Sequence, residues 1–327
     1  MILVTGGAGF IGSNVVAGLD GRGMGPIVVA DALRDGDRRA NIAKHRVAEV
    51  IEPERIMAWL AGRSDVEAVI HMGAISSTTE MDVDLILRSN VWLSLDLWDW
   101  CAGNAVPLIY ASSAQVYGDG SRGFVDDEDS AALAGLRAIT PYGASKLLFD
   151  RLVLRELDKG RARPPQWAGL RFFNVYGPNE YHKGEQRSVI AKAYAALAAG
   201  EPMRLFKSYH PDYPDGGQKR DFVHVGDCVA VILWLLDNGD VSGIFNLGSG
   251  RARTWLDLAH AMFAAMDRKP EIAFVDMPEV LRGRYQYLTE ADMTKLTRAG
   301  YDKPFTSLED GVADYVRRYL ATDDPYR

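Results

Sequence analysis

Only two cysteines, Cys101 and Cys228, occur in 327 residues, and their spacing fits neither a metal-ligand pattern nor a disulfide framework. A reducing compartment suits such a chain, and no metal is expected. Basic blocks are missing as well: with a formal net charge of −7 and no long Lys/Arg run, the clustered positive surface that nucleic acid requires is absent. No apolar run is long enough for a bilayer, since Cys228 to Leu236 falls well short of a span, and the first residues read as a strand in place of a signal peptide. These absences argue against nucleic acid and membrane as partners and point to the cytoplasm. What is there is a 47% hydrophobic composition, enough to bury a large core as one main domain with a smaller lobe.

The most informative segment is Thr5-Gly-Gly-Ala-Gly-Phe-Ile-Gly12, set between the apolar run Met1 to Val4 and the helical run Ser13 to Leu19. A strand enters a glycine turn and leaves as a helix, whose unpaired first amides and positive dipole end suit a pyrophosphate. Gly6, Gly7, Gly9 and Gly12 let the backbone turn tightly, approach a ligand and pack the helix on the strand. A second strand, Pro26 to Ala30, ends in Asp31, where an acidic group accepts from an adenosine ribose hydroxyl. Together these form a dinucleotide fingerprint.

Apolar runs then alternate with helical periodicity through Ala68–Ile70, Leu85–Cys101, Pro107–Ala111, Tyr142–Leu157 and Ala168–Phe173. This alternation predicts an α/β fold, a Rossmann-like doubly wound parallel sheet, with a smaller mixed α/β substrate-binding domain. Residues 1–174 are expected to form the dinucleotide-binding domain, with 220–250 returning to it, and 175–219 and 251–327 the substrate-binding domain. A helix is expected over Arg187–Ala199, a long loop over Lys207–Arg220, and a solvated loop over Asp119–Ser130.

Tyr142-Gly-Ala-Ser-Lys146 opens a helix, and the i, i+4 spacing puts phenol and ammonium on one face. The ammonium and the charge of an oxidised nicotinamide favour phenolate, making Tyr142 a candidate base for removing a hydroxyl proton as hydride leaves carbon. Ser113, at the end of the Leu108–Ala111 strand, is placed to hydrogen-bond the reacting oxygen.

With the glycine turn, the strand-end serine and the Tyr-Lys pair, the chain resembles the extended short-chain dehydrogenase/reductase family over essentially its whole length. His71-Met-Gly-Ala-Ile-Ser-Ser-Thr-Thr-Glu80, Tyr110 to Ser113, Phe172 to Pro178 with His182-Lys-Gly184, Arg220-Asp-Phe-Val223 and Gly283-Arg-Tyr-Gln286 are similar to the ADP-heptose 6-epimerase branch of it. The resemblance implies inversion at C6 of an ADP-heptose, toward a lipopolysaccharide core precursor, by a homo-oligomeric enzyme. Carbon 6 carries no acidic hydrogen, so inversion needs transient oxidation to a 6-ketone. It also implies a second acid/base, Lys183, whose pKa burial would lower.

On residues alone Asp31 favours NAD, whereas Arg34, Arg38 and Arg39 stand ready for the extra phosphate of NADP. The resemblance favours tightly bound NADP, with NAD still open, and places Phe10, Ile11, Met72, Ser76, Ser89, Lys146, Val175 and Lys183 at the cofactor. It places Asn174, Glu185, Lys192, Phe206, Arg220 and Tyr285 at the nucleotide sugar. Glu185-Gln-Arg187 replace the small and apolar residues usual there. A 4,6-dehydratase is disfavoured because Ala114-Gln115 stand where that group carries an Asp-Glu pair. Another nucleotide-sugar epimerase, or a non-catalytic dinucleotide-binding regulator, are the alternatives.

Overall fold

A computed structural model describes residues 1–34, 36–282 and 285–327; Gly283 and Arg284 of the Gly283–Gln286 motif lie outside the described residues. The strands are β1 (Ile2–Thr5), β2 (Ile27–Ala30), β3 (Glu49–Ile51), β4 (Ala68–His71), β5 (Leu108–Ser113), β6 (Trp167–Phe172), β7 (Asn174–Tyr176), β8 (Met203–Phe206), β9 (Lys219–His224), β10 (Gly243–Leu247), β11 (Ala252–Thr254) and β12 (Ile272–Val275). Seven of them form one parallel sheet in the order β10-β6-β5-β4-β1-β2-β3. The chain winds outward through β1, β2 and β3, returns to β4 and winds the other way, so its topological switch lies between β1 and β4. Helices cover both faces, which is why β1, β2 and β4 are buried along their whole length and apolar but for Thr5 and His71 at the ends of β1 and β4. The α/β doubly wound architecture is the one the alternating pattern predicts.

The apolar run from Cys228 lies in the helix Val225–Asp237, which packs on the helix Phe10–Gly21. A side chain at Gly18 would come within 2.5 Å of Val229, so the close approach of the two helices depends on glycine there. The remaining strands form the small sheets β11-β9-β7 and β12-β8, beside a separate core that includes Tyr176, Ile190, Leu258, Phe263 and Val312. Among the described residues, no helix is long and apolar enough to cross a membrane and no cluster of side chains could hold a metal.

Three local expectations change. The helix after Arg187 runs Val189–Ala198, capped by the Ser188 hydroxyl, which accepts from Ala191 N–H at 3.2 Å. The polar loop ends before Lys219, because Lys219 and Arg220 already belong to β9. The acidic Asp119–Ser130 segment is more than solvated loop: Asp126 is buried and accepts from the Asn246 N–H at 2.8 Å, while Glu128 accepts from the Ile244 N–H and pairs with Lys295. Both carboxylates thus satisfy amides on the outer edge of β10, an edge that would otherwise be open to strand addition.

Two buried features mark the two faces of the sheet. Cys101 and Cys228 are free, fully buried thiols, one in each of the cores flanking the sheet. Asp150 and Arg171 form an ion pair at 3.1 Å with both side chains shut off from solvent. Asp150 also accepts from Ser112 Oγ at 3.0 Å, and Arg171 donates to Tyr117 Oη at 3.0 Å. Breaking such a pair strands a charge in the core. Asp150→Ala is therefore expected to lower unfolding free energy by about 3–5 kcal/mol in denaturant titrations, with the double variant Asp150→Leu/Arg171→Met losing less than either single change.

Candidate active site

The ends of β1, β4 and β5 lie next to one another at the switch point, and each delivers a polar side chain to the same region. At β1 the chain enters the glycine turn with Gly6 at φ +62, a conformation glycine adopts without strain. A Cβ on Gly12 would sit 2.1 Å from the Gly6 carbonyl oxygen, so the turn closes only with glycine there. Gly9 differs: a Cβ there would meet the Gly6 oxygen at 3.1 Å and the Arg38 guanidinium at 4.0 Å. The helix Phe10–Gly21 begins at this point without any side-chain cap and without an acid in its first turn. A positive helix end with uncapped amides, beside a guanidinium, fits the pyrophosphate of a dinucleotide. Asp31 closes the turn from β2, accepting from Ala8 N–H at 3.0 Å and from Arg38 at 2.9 Å. Burial pushes its carboxyl up, against the pull of Arg38.

At β4, His71 is buried between Thr5 Oγ1 at 2.6 Å and Ser94 Oγ at 2.9 Å. The Ser94 hydroxyl donates to the Asn90 carbonyl, so its oxygen accepts from His71 Nε2–H and His71 Nδ1 accepts from Thr5. Burial, with Lys146 nearby, holds His71 down at about 3, so it is neutral. Asn90 bridges two walls: it exchanges hydrogen bonds with the Ile75 backbone and donates to Ser145 Oγ at 3.0 Å.

At β5, Ser113 meets the helix Pro141–Asp158, whose start is fixed by Pro141 and by Thr140, which accepts from Gly143 N–H at 3.0 Å. Tyr142 is half-buried in the first turn, and Lys146 follows one turn later with 2% of its surface exposed. Burial raises the Tyr142 phenol above its usual value, opposed by a hydrogen bond from Ser113. A cation brought beside the phenol would pull the other way. Burial brings Lys146 itself down to about 8, with Asp150 opposing.

Lys183 lies on a separate element, the short helical turn Tyr181–Gln186 that follows β7. Its ammonium stands 5.3 Å from the Phe10 ring centre, and burial lowers its pKa against the attraction of Glu180. Met72, Ile11 and Val175 are half-buried, Phe10 is buried, Ser89 is half-buried in the turn Arg88–Trp92, and Ser76 is exposed. Glu185 and Lys192 are exposed and tied together, Lys192 donating to the Glu185 carbonyl at 3.1 Å, while Arg187 folds back on the Gly184 carbonyl at 2.9 Å. Asn174 is exposed and accepts from Thr289 at 3.3 Å, and Phe206 is half-buried at the end of β8. Arg220 is only 8% exposed, lies 5.0 Å from the Tyr285 ring and 5.8 Å from Trp255, and forms no carboxylate ion pair among the described residues. Tyr285 is held by the Trp255 indole N–H at 2.9 Å.

The profile of the NAD dependent epimerase/dehydratase family matches residues 2–248. The chain belongs to that family. A curated relative from Nitratidesulfovibrio vulgaris (strain DP4), named ADP-L-glycero-D-manno-heptose-6-epimerase, is 50% identical over the full length of both chains. The crystal structure of the Helicobacter pylori ADP-L-glycero-D-manno-heptose-6-epimerase superposes with a TM-score of 0.78 at 26% identity, over 97% of this chain and 95% of that one. A UDP-glucose-4-epimerase from Stenotrophomonas maltophila with bound NAD reaches 0.76 at 25% identity, over 96% of each.

Sequence reading missed the supporting polar residues of this family member: Thr5, Asn90, Ser94 and Glu180. Asn90 and Ser94, polar at i, i+4 inside an apolar helical pattern, carried a readable signal, whereas Glu180 looked like ordinary loop charge. Arg220 yields a test. A buried cation with no counter-charge disfavours folding and favours an incoming anion. Arg220→Met is expected to weaken ADP binding by roughly 10-fold or more in calorimetry, in line with about 1.5–3 kcal/mol for charged hydrogen bonds, without lowering the melting temperature. Unchanged ADP affinity would remove Arg220 from the ligand site.

Proposed function

We propose that this protein inverts C6 of ADP-D-glycero-D-manno-heptose to give ADP-L-glycero-D-manno-heptose through a 6-keto intermediate, supplying lipopolysaccharide core precursor synthesis. The observation that supports this reading is that two candidate proton handlers sit on separate elements, Tyr142 on the helix Pro141–Asp158 and Lys183 on the turn after β7, with its ammonium 5.3 Å from the Phe10 ring at the end of the glycine turn. Its support is the full-length 50% identity to a curated 6-epimerase. A simple dehydrogenase has no need of the second.

The glycine turn, with Gly6, Gly9 and Gly12, holds the dinucleotide pyrophosphate, and Asp31 and Arg38 meet its adenosine ribose. When bound, the nicotinamide supplies a reversible hydride acceptor. Tyr142 moves the O6 proton on one face, with Ser113 holding the same oxygen and Lys146 keeping the phenol in a positive field. Lys183, softened by burial, moves it on the other. Arg220 holds the diphosphate, with Tyr285 against its guanidinium face, and residues 175–219 and 251–327 close the sugar side. The dinucleotide in this reading is NADP: Arg38 pairs with Asp31 and so offsets the carboxylate that would repel a 2′-phosphate. The proposal places the protein in the cytoplasm as a homo-oligomer.

Incubation with ADP-D-glycero-D-manno-heptose in deuterated water, followed by NMR at C6, is expected to give the L-glycero epimer with protium retained; deuterium at C6 would overturn the oxidation mechanism. Tyr142→Phe is expected to reduce turnover by roughly 10²-fold or more with cofactor retained, and Lys183→Met to block epimerisation in a folded protein. Arg38→Ala is expected to weaken NADP roughly 10-fold or more relative to NAD in fluorescence titrations. An unchanged ratio would return the preference to NAD.

A further inference from the structure

Asn14, Asn41 and Asn179 are fully buried between the glycine turn with its helix and the segment after β7, and each joins residues distant in sequence. Asn41 is the hub. Its carboxamide donates to the Ala8 carbonyl in the glycine turn at 2.9 Å and to the Asn179 carbonyl at 3.1 Å, and His182 Nδ1 lies 3.4 Å away. Asn14 donates to the Pro178 carbonyl at 2.9 Å. Asn179, in the left-handed region at φ +73, donates to Ser13 Oγ at 3.0 Å. Downstream, buried Glu180 accepts from the Ser188 N–H and hydroxyl, and the Lys183 N–H donates to the Glu180 carbonyl at 3.1 Å. The segment bearing Lys183 is thus bolted at one end to the cofactor turn and clasped at the other by Glu180.

Packing alone does not call for this arrangement. A buried carboxamide is unfavourable unless fully bonded, and Asn41 Oδ1 has no partner among the described residues. An apolar side chain of similar size would fill the space without that penalty. What the carboxamide adds is direction, since one planar group fixes two carbonyls, one in the glycine turn and one at the start of the Lys183 segment.

We propose that Asn41 and Asn179 are positioning residues that lock the Lys183 segment to the glycine turn and so set where its ammonium stands relative to the bound substrate. This rests on the reading of Lys183 as the second proton handler. A displacement of about 1 Å at a reacting group can cost roughly 10²-fold in rate.

Asn41→Leu deletes both donations. Asn179→Gly deletes the carboxamide while keeping the left-handed backbone, and serves if the first variant fails to fold. In the holoenzyme, the burst of reduced-nicotinamide absorbance is followed in single turnovers started from each C6 epimer of the ADP-heptose. The epimer whose oxidation is slowed by Lys183→Met is expected to slow by roughly 10-fold or more in both asparagine variants, with the other within about 3-fold. Equal slowing from both epimers, the mark of a merely structural role, or no slowing at all overturns the lock. Should Lys183→Met itself leave both epimers unaffected, the two-handler reading fails, and acetic anhydride labelling decides the lock separately. Faster acetylation of Lys183 in Asn41→Leu then supports it, and an unchanged rate overturns it.

Discussion

The candidate-site wall on the β5 side depends on one carboxylate with no access to water. Asp150 shares a helix with Tyr142 and Lys146, and its oxygens bond Ser112 on β5 and Arg171 on β6. Arg171 passes the restraint to Tyr117, whose hydroxyl donates to Asn246 on β10 at 2.6 Å. Helix and three strands are therefore joined through directional bonds where aliphatic contacts would allow rotation. The same negative charge favours the Lys146 ammonium against its burial, so a structural ion pair and the electrostatics of the phenol share a single group.

The molecule is acidic overall, yet its site is not. Lys146, Lys183 and Arg220 are drawn out of water around the ends of the sheet, and all three have lowered pKa values because burial disfavours their charge. Lys146 and Arg220 are buried, and Lys183 half-buried, in a chain whose formal net charge is −7.

Much of this was legible from the residues. Glycine spacing, strand-end hydroxyls and the Tyr-Lys helix register are local patterns, and local patterns survive in one dimension. The seven-stranded sheet follows from alternation because each parallel crossover has one favoured hand. What could not be read depends on distant partners. Asp126 and Glu128 look like solvent charges until β10 is laid beside them, and Asn41 looks like a surface turn residue until Ala8 and Asn179 converge on it. Helical spacing likewise shows a cation one turn from Tyr142 but not that burial raises its phenol.

The two thiols on opposite faces of the sheet turn the protein into its own gauge. Burial raises Cys101 to about 12 and Cys228 well above its usual value, so neither forms thiolate at neutral pH while the fold holds. A thiol-directed electrophile added to the native protein therefore finds no reactive thiol. Each cysteine becomes reactive only when its own helix lifts away, so the order in which the two sites are alkylated under mild stress would record which layer of the sandwich opens first.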